Sequence, residues 1–127
     1  MDIRSIDHVY EAVPPYLNNR EQPADEMVWF GVKAVSMPDQ DKLDRELLML
    51  YNDLARDKAA EMEAGKRLAQ IAAKVVSINN LTLDGKPVTT FDEFYTKAPK
   101  DLVQWVCAAV HSAITLGLAE RKNFLPQ

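Results

Sequence analysis

The sequence predicts a mainly α-helical protein: a small bundle of about four helices with a short β element, formed by an N-terminal strand, an Asp-Gly hairpin or both. Two observations support this prediction. Apolar residues recur at intervals of three and four over much of the chain after position 39. Only two segments have the composition or alternation of a strand, which excludes a large sheet. With 127 residues, 47% of them hydrophobic, one core can sustain folding, so we expect a single domain over 1–127.

The N-terminal segment, residues 1–26, is expected to be loosely ordered or to form one short helix. Four apolar residues in it have helical spacing: Ile6, Val9, Tyr10 and Val13. Two consecutive prolines follow, and they would end any helix there. The polar residues before Pro23 are typical of a loop.

Residues 27–37 are the first candidate strand. The segment is rich in β-branched and aromatic side chains and lies between Pro23 and Pro38, which favours an extended conformation. A short buried helix is the alternative, because periodicity cannot separate the two in so short an apolar run.

A helical pattern then extends over residues 39–77. Asp39 is the expected N-cap. One unbroken helix of this length would span roughly 60 Å, which is too long for a small globule. Glycine costs roughly 1 kcal/mol relative to alanine inside a helix, so we expect either two helices broken near Gly65 or one long helix bent there.

The last third of the chain is predicted to contain a hairpin and two helices. Residues 81–88 alternate around Asp84-Gly85, a strong signal for a hairpin turn. Thr90 is expected to cap a short helix over 91–95. A strongly apolar helix then begins near Pro99 and is expected to end at Gly117.

Charge and hydropathy exclude several classes of function. The formal net charge is −4, and no basic stripe is visible, which disfavours nucleic acid or an anionic membrane as the main partner. No segment approaches the roughly 20 apolar residues of a membrane span. The sequence has one cysteine and no signal-peptide pattern, so we expect a cytoplasmic protein.

Chemistry-bearing residues are sparse. Cys107 and His111, four positions apart, are the nearest approach to a metal or nucleophile site. Two ligands are half of a tetrahedral zinc site, and there is no second cysteine to help complete it. We therefore expect a buried cysteine that behaves as a small hydrophobe, no metal, no cofactor and no enzymatic activity.

Several apolar residues exceed what a monomer of this size can easily cover, because the run from Leu47 to Tyr51 places apolar groups on more than one helix face. Such a surface favours protein–protein association. The candidate residues for partner binding or an oligomer interface are Trp29, Phe30, Leu47, Leu48, Tyr51, Trp105 and Phe124.

One series of segments covers somewhat under half of the chain. It begins with the alanine-rich helical segment 68–73 and continues through 83–89, Leu-Asp-Gly-Lys-Pro-Val-Thr. The short helix that begins Phe-Asp-Glu-Phe at 91–94 follows, then the apolar helix and the segment 120–124, Glu-Arg-Lys-Asn-Phe. This series resembles the tail assembly chaperones of long-tailed, siphovirus-like bacteriophages.

The resemblance implies a small helical protein of the infected host cytoplasm that is absent from the mature virion. Such proteins oligomerise, keep the long tape measure protein soluble and help recruit tail tube subunits; a translational frameshift often yields a longer second product. The family carries no catalytic residue to transfer. A structural virion component, such as a head–tail joining or minor tail protein, is the alternative.

Overall fold

A computed structural model describes residue 2 and residues 4–115, with side chains to residue 111. The chain forms a mixed architecture of helices and small antiparallel sheets, so the expected helices with a short β element are confirmed, although the arrangement is not a pure bundle. A 3-10 stretch, Tyr16–Glu21, follows the first strand. The regular elements are β1 (Tyr10–Ala12), β2 (Trp29–Val32), α1 (Met37–Asp53), α2 (Arg56–Lys74), β3 (Val75–Asn79), β4 (Thr82–Leu83), β5 (Lys86–Pro87), α3 (Phe91–Lys97) and α4 (Lys100–Thr115).

The larger sheet has three antiparallel strands in the order β1-β2-β3. Ala12, Phe30 and Ile78 lie side by side across it and are all buried. The strand interpretation of 27–37 is confirmed for Trp29–Val32, whereas the segment's end already belongs to α1. The helical interpretation of the N-terminal segment is wrong, because residues 10–12 pair with β2 instead.

The helices α1 and α2 form an antiparallel hairpin, and the break between them is at Leu54 and Ala55, not at Gly65. Reversal at this point lets Leu43 and Leu47 of α1 become buried. The N-cap is Ser36, whose Oγ accepts a hydrogen bond from the Asp39 N–H at 3.2 Å, so Asp39 lies in the first turn instead. The second helix ends at Lys74, three residues before the predicted end, and the chain continues directly as β3.

Gly65 lies inside α2, and a Cβ added there would meet nothing within 4 Å. Gly65→Ala is therefore expected to raise the free energy of unfolding by about 1 kcal/mol, as measured by chemical denaturation. Gly31→Ala is the matched contrast, because the added Cβ would collide with Ser77 Oγ and lie 3.0 Å from Val9 Cγ1; it should be destabilising. A destabilised Gly65→Ala variant would contradict the helix as described.

The core lies between the three-stranded sheet, α3 and α4. Its largest fully buried side chains include Phe30 and Phe94, whose ring centroids are 5.0 Å apart. The apolar face of α4 completes it, with Leu102, Val103, Val106, Ala109 and Val110 buried. As far as residue 111, the apolar face of this helix is thus covered within one chain.

The predicted turn at Asp84-Gly85 and the predicted cap at Thr90 are confirmed. Asp84 and Gly85 both have positive φ, 52° and 78°, as a two-residue hairpin turn between β4 and β5 requires. Thr90 Oγ1 accepts a hydrogen bond from the Glu93 N–H at 3.3 Å. The predicted stop at Gly117 lies outside the described residues.

Candidate functional site

Five exposed apolar side chains lie on the α1–α2 hairpin near its turn. They are defined here as the hairpin patch: Leu48, Met49, Tyr51, Leu54 and Met62. Leu48 and Met49 are the most exposed of the five, at 63% and 62%. Single apolar residues of this size at such exposure are common, but a group of them on one element is a candidate interaction surface.

Helical geometry explains why these residues are uncovered. Leu43 and Leu47, four positions apart, point from α1 towards α2 and are buried. Leu48 and Met49 follow Leu47 by one and two positions, which turns them by roughly 100° and 200° away from that seam. Because α1 packs mainly against α2, nothing else in the described fold covers its outer face there.

A groove of about 340 Å³ runs along one side of the hairpin turn, with apolar walls from Met49, Leu50 and Leu54. Glu46, Asp53 and Lys66 form its charged rim. Lys66 Nζ lies 3.6 Å from Glu46 Oε2, an ion pair that joins the two helices at the surface. Such an exposed pair contributes little to stability, so a partner can replace it at small cost.

A hydrogen-bonded cluster that includes Tyr51 of the patch links α1 to α2. The Tyr51 hydroxyl donates to Glu63 Oε1 at 2.7 Å, and Arg67 Nε donates to Glu63 Oε2 at 2.6 Å. Arg67, followed by Tyr51, holds the pKa of Glu63 below its ordinary value. The hydrogen bond to Glu63 raises the pKa of Tyr51. The hydrogen bond holds the Tyr51 hydroxyl against α2.

The base of the hairpin is held by a second polar contact. Lys74 Nζ donates to Asp39 Oδ2 at 2.7 Å, linking the last residue of α2 to the first turn of α1. This hydrogen bond is the main cause of the lowered pKa of Asp39. The two contacts hold the helices together at both ends while leaving the outer face of α1 bare.

The structure places the sequence-predicted site residues in different environments. Leu48 and Tyr51 belong to the hairpin patch. Phe30 and Leu47 are buried, so they serve the fold and are not accessible to a partner. Trp29 and Trp105 are half-buried, and Trp105 packs against the core. Phe124 lies outside the described residues.

Sequence reasoning did not assign Met49, Leu54 or Met62 to the site. Met49 lay in the same apolar run as Leu48, but Leu54 and Met62 fit the helical stripe expected to be buried. Their exposure follows from the position of the helix break. Because the break is at Leu54 and not at Gly65, Leu54 and Met62 lie near the turn of a helical hairpin and not in the middle of one long helix.

The described residues contain no cluster of three or more His, Cys, Asp or Glu side chains able to hold a metal ion. Cys107 is half-buried, and burial raises the pKa of its thiol. Among the described helices, none combines the length and apolarity that a membrane crossing requires.

Comparison with known proteins found no matching family model, no similar curated protein and no similar solved structure.

Proposed function

We propose that this chain is a phage tail assembly chaperone that acts by protein–protein association, without catalysis or a cofactor. The observation that carries the proposal is the hairpin patch, a group of exposed apolar side chains on a helical pair that is itself held together by hydrogen bonds. The sequence resemblance described above supplies the partner. It is the tape measure protein, whose apolar helical segments need cover before the tail tube encloses them.

The chemistry of the patch suits a partner of variable sequence. Two of its five members are methionines, whose unbranched, polarisable side chains adapt to irregular apolar surfaces. An amphipathic helix can lay its apolar face into a groove between two helices, with anchors at intervals of three and four residues. The groove beside Met49 and Leu54 is bounded by both signs of charge, so the partner's flanking charges can be matched.

Binding of this kind is reversible, which the proposed function requires. Once tail tube subunits polymerise around the tape measure protein, they compete for the same apolar segments and displace the chaperone. The protein would then remain in the host cytoplasm and be absent from the mature virion. Association of several copies, with hairpin patches facing one tape measure protein, would cover a long partner by multivalency.

The test is co-expression of the full chain with a fragment of the tape measure protein from the same genome, followed by affinity capture. The wild type is expected to keep the fragment soluble and to form a defined complex by light scattering. The double variant Leu48→Asn, Met49→Gln is expected to capture at least about tenfold less fragment, because loss of central apolar anchors typically costs more than 1 kcal/mol.

Leu17→Asn is the matched control. Leu17 is 82% exposed but lies on a different element, so this variant should capture as much fragment as the wild type. Equal capture by the double variant would show that the hairpin patch is not the binding site. A strictly monomeric protein with no effect on the solubility of the fragment would contradict the chaperone function. In that case, its peptides in purified virions would identify a structural component.

A further inference from the structure

A second apolar surface lies between the 3-10 stretch, the β4–β5 hairpin and the start of α4. It is a groove of about 420 Å³, which we define as the loop groove, with apolar walls from Pro14, Tyr16, Val28, Leu81, Leu83 and Leu102. It shares no lining residue with the hairpin patch, so its role is independent of the proposed function.

One edge of the β4–β5 hairpin borders the loop groove and carries unpaired backbone groups. Leu83 pairs with Lys86 beside the two-residue turn, and the Val88 N–H donates to the Leu81 carbonyl oxygen at 3.0 Å. Backbone groups alternate in direction along an antiparallel strand, so the N–H and C=O of Thr82 point away from β5. Thr82 is exposed, and none of the described residues hydrogen-bonds to either group. The strand β4 thus offers one donor and one acceptor beside the groove.

The other edge of this hairpin is closed to pairing. Pro87 lies opposite Thr82 in β5 and has no N–H to donate, which is a common way to block an edge strand. A further strand can therefore join the hairpin along β4 and not along β5.

A strand added along β4 would face the apolar walls of the groove. When one of its residues pairs with Thr82, the residues on either side of it lie beside Leu81 and Leu83 and share their face of the hairpin. Leu81 is buried and Leu83 half-buried, and both line the groove. The occupant therefore needs apolar side chains at two positions separated by one residue.

The charge of the loop groove restricts its occupant further. Glu26 is the one charged side chain among the described residues that line it, and Glu21 and Asp25 are exposed on the same loop. Arg20 of this loop donates from Nε to the Val13 carbonyl oxygen at 2.9 Å. A basic residue next to the apolar pair would complement this acidic rim.

The loop that faces β4 across the groove is a fixed wall. Asn19 Nδ2 donates to the carbonyl oxygens of Pro14 and Val28, each at 2.9 Å. Leu17, which lines the groove, has φ 48° and ψ 46°, a strained conformation for a bulky residue. Its side chain is 82% exposed, so burial does not offset the strain within the described fold. Strain that persists in this way is a reason to look for a function.

We infer that the loop groove binds an extended peptide segment of another protein, with apolar residues at two alternate positions and a Lys or Arg next to them. The segment adds a strand antiparallel to β4 through the N–H and C=O of Thr82. Its apolar pair fills the groove and covers Leu17, and its basic residue lies near Glu26. This occupant is a strand, whereas the hairpin patch suits a helix, so the two surfaces take different segments.

Selection from a random synthetic peptide library on the immobilised full chain tests the chemistry of the occupant. Enriched peptides are expected to share two apolar residues separated by one position, with Lys or Arg adjacent. The absence of enrichment, or apolar residues at the helical intervals of three and four, would overturn the inference.

Amide hydrogen exchange, followed by NMR with the best-binding peptide, tests the position of the added strand. The Thr82 N–H should exchange at least about tenfold more slowly at saturation, because it gains a hydrogen-bond partner. The Val88 N–H is the matched control, since it already has a partner, and should change less than about twofold. An unchanged Thr82 N–H would overturn the inference. Slower Thr82 exchange in the peptide-free protein at rising concentration would identify a second copy as the occupant and would overturn it as well.

N-methylated peptides test the strand pairing without altering the protein. Methylation of the residue between the two apolar positions removes the N–H that faces β4 and should weaken binding at least about tenfold. Methylation of the next residue, whose N–H points away from β4, should weaken it less than about threefold. Equal effects of the two methylations would overturn the inference.

Protein variants test the walls and the charge of the groove. Leu17→Asn suits the left-handed conformation and removes an apolar contact, so it should weaken peptide binding at least about fivefold; Ile6→Asn, at a residue 52% exposed elsewhere, should not. Glu26→Lys should weaken binding of the basic peptide and strengthen binding of a peptide with Glu in place of the basic residue. Glu61→Lys, on the exposed surface of α2, is its control. Unchanged affinity in Leu17→Asn, or no reversal of preference in Glu26→Lys, would overturn the inference.

Discussion

Phe94→Ala is expected to lower the free energy of unfolding by about 3–5 kcal/mol, the usual cost of removing a large aromatic side chain from a packed core. Phe94 is fully buried, and its ring lies 5.0 Å from Phe30 and 6.0 Å from Phe91, centroid to centroid. Its loss would leave a cavity where α3 meets the sheet. Chemical denaturation followed by circular dichroism measures the change.

Tyr95→Ala is the control for this prediction, because the neighbouring aromatic residue is 46% exposed. Its ring stacks on Phe91 at 6.0 Å, so its removal should cost no more than about 1 kcal/mol. Similar losses for the two variants would mean that α3 is not packed on the sheet through Phe94.

Asn19→Ala is expected to lower the free energy of unfolding by about 2–4 kcal/mol. Asn19 is 7% exposed, and its side chain satisfies the Val28 N–H and the carbonyl oxygens of Pro14 and Val28. Buried polar groups left without partners typically cost about 1–3 kcal/mol each, and some will regain water at the surface. The loop between β1 and β2 should also lose its fixed conformation, which hydrogen exchange would detect.

Two further variants test whether the loss of the Asn19 hydrogen bonds is the cause of the lower stability. Asn19→Asp keeps an acceptor for the Val28 N–H but replaces the donated hydrogen bonds with contacts between a carboxylate and carbonyl oxygens, so it should be strongly destabilising at neutral pH. Asn52→Ala, on the exposed surface of α1, should change stability by no more than about 0.5 kcal/mol. If Asn19→Ala behaved like Asn52→Ala, the buried hydrogen bonds would not hold the loop.

Local signals in the sequence predicted the parts of the fold that are determined locally. The Asp84-Gly85 turn and the Thr90 cap depend on a few adjacent residues, and both are present as expected. The sequence predicted that the helical region would be broken or bent, but it did not predict the position of the break. A glycine was taken as the break, whereas Leu54 ends the helix because reversal there buries Leu43 and Leu47.

The three-stranded sheet was largely missed because its pairing is between distant residues. Residues 10–12 have a helical spacing of apolar residues, and Val75 and Val76 continue a helical stripe. Their conformation is decided by contact with β2, which no local pattern records. The candidate site was affected in the same way. Leu48 and Tyr51 could be identified from an apolar run, whereas Leu54 and Met62 fit a helical stripe and their exposure depends on where the chain reverses.

The sheet also determines an order of events during synthesis. The central strand β2 ends at Val32, and β3, which pairs with it, ends at Asn79. The ribosome must therefore add a further 47 residues (79 − 32) after β2 before the sheet can close. At about 5–20 residues per second this is a wait of roughly 2–9 s, whereas helical structure forms within microseconds. The α1–α2 hairpin occupies most of the intervening chain, and its closed ends bring Lys33 and Lys74 within hydrogen-bonding distance, 2.9 Å from N to O. The hairpin that carries the exposed apolar patch is therefore also the element that shortens the loop over which the sheet must close.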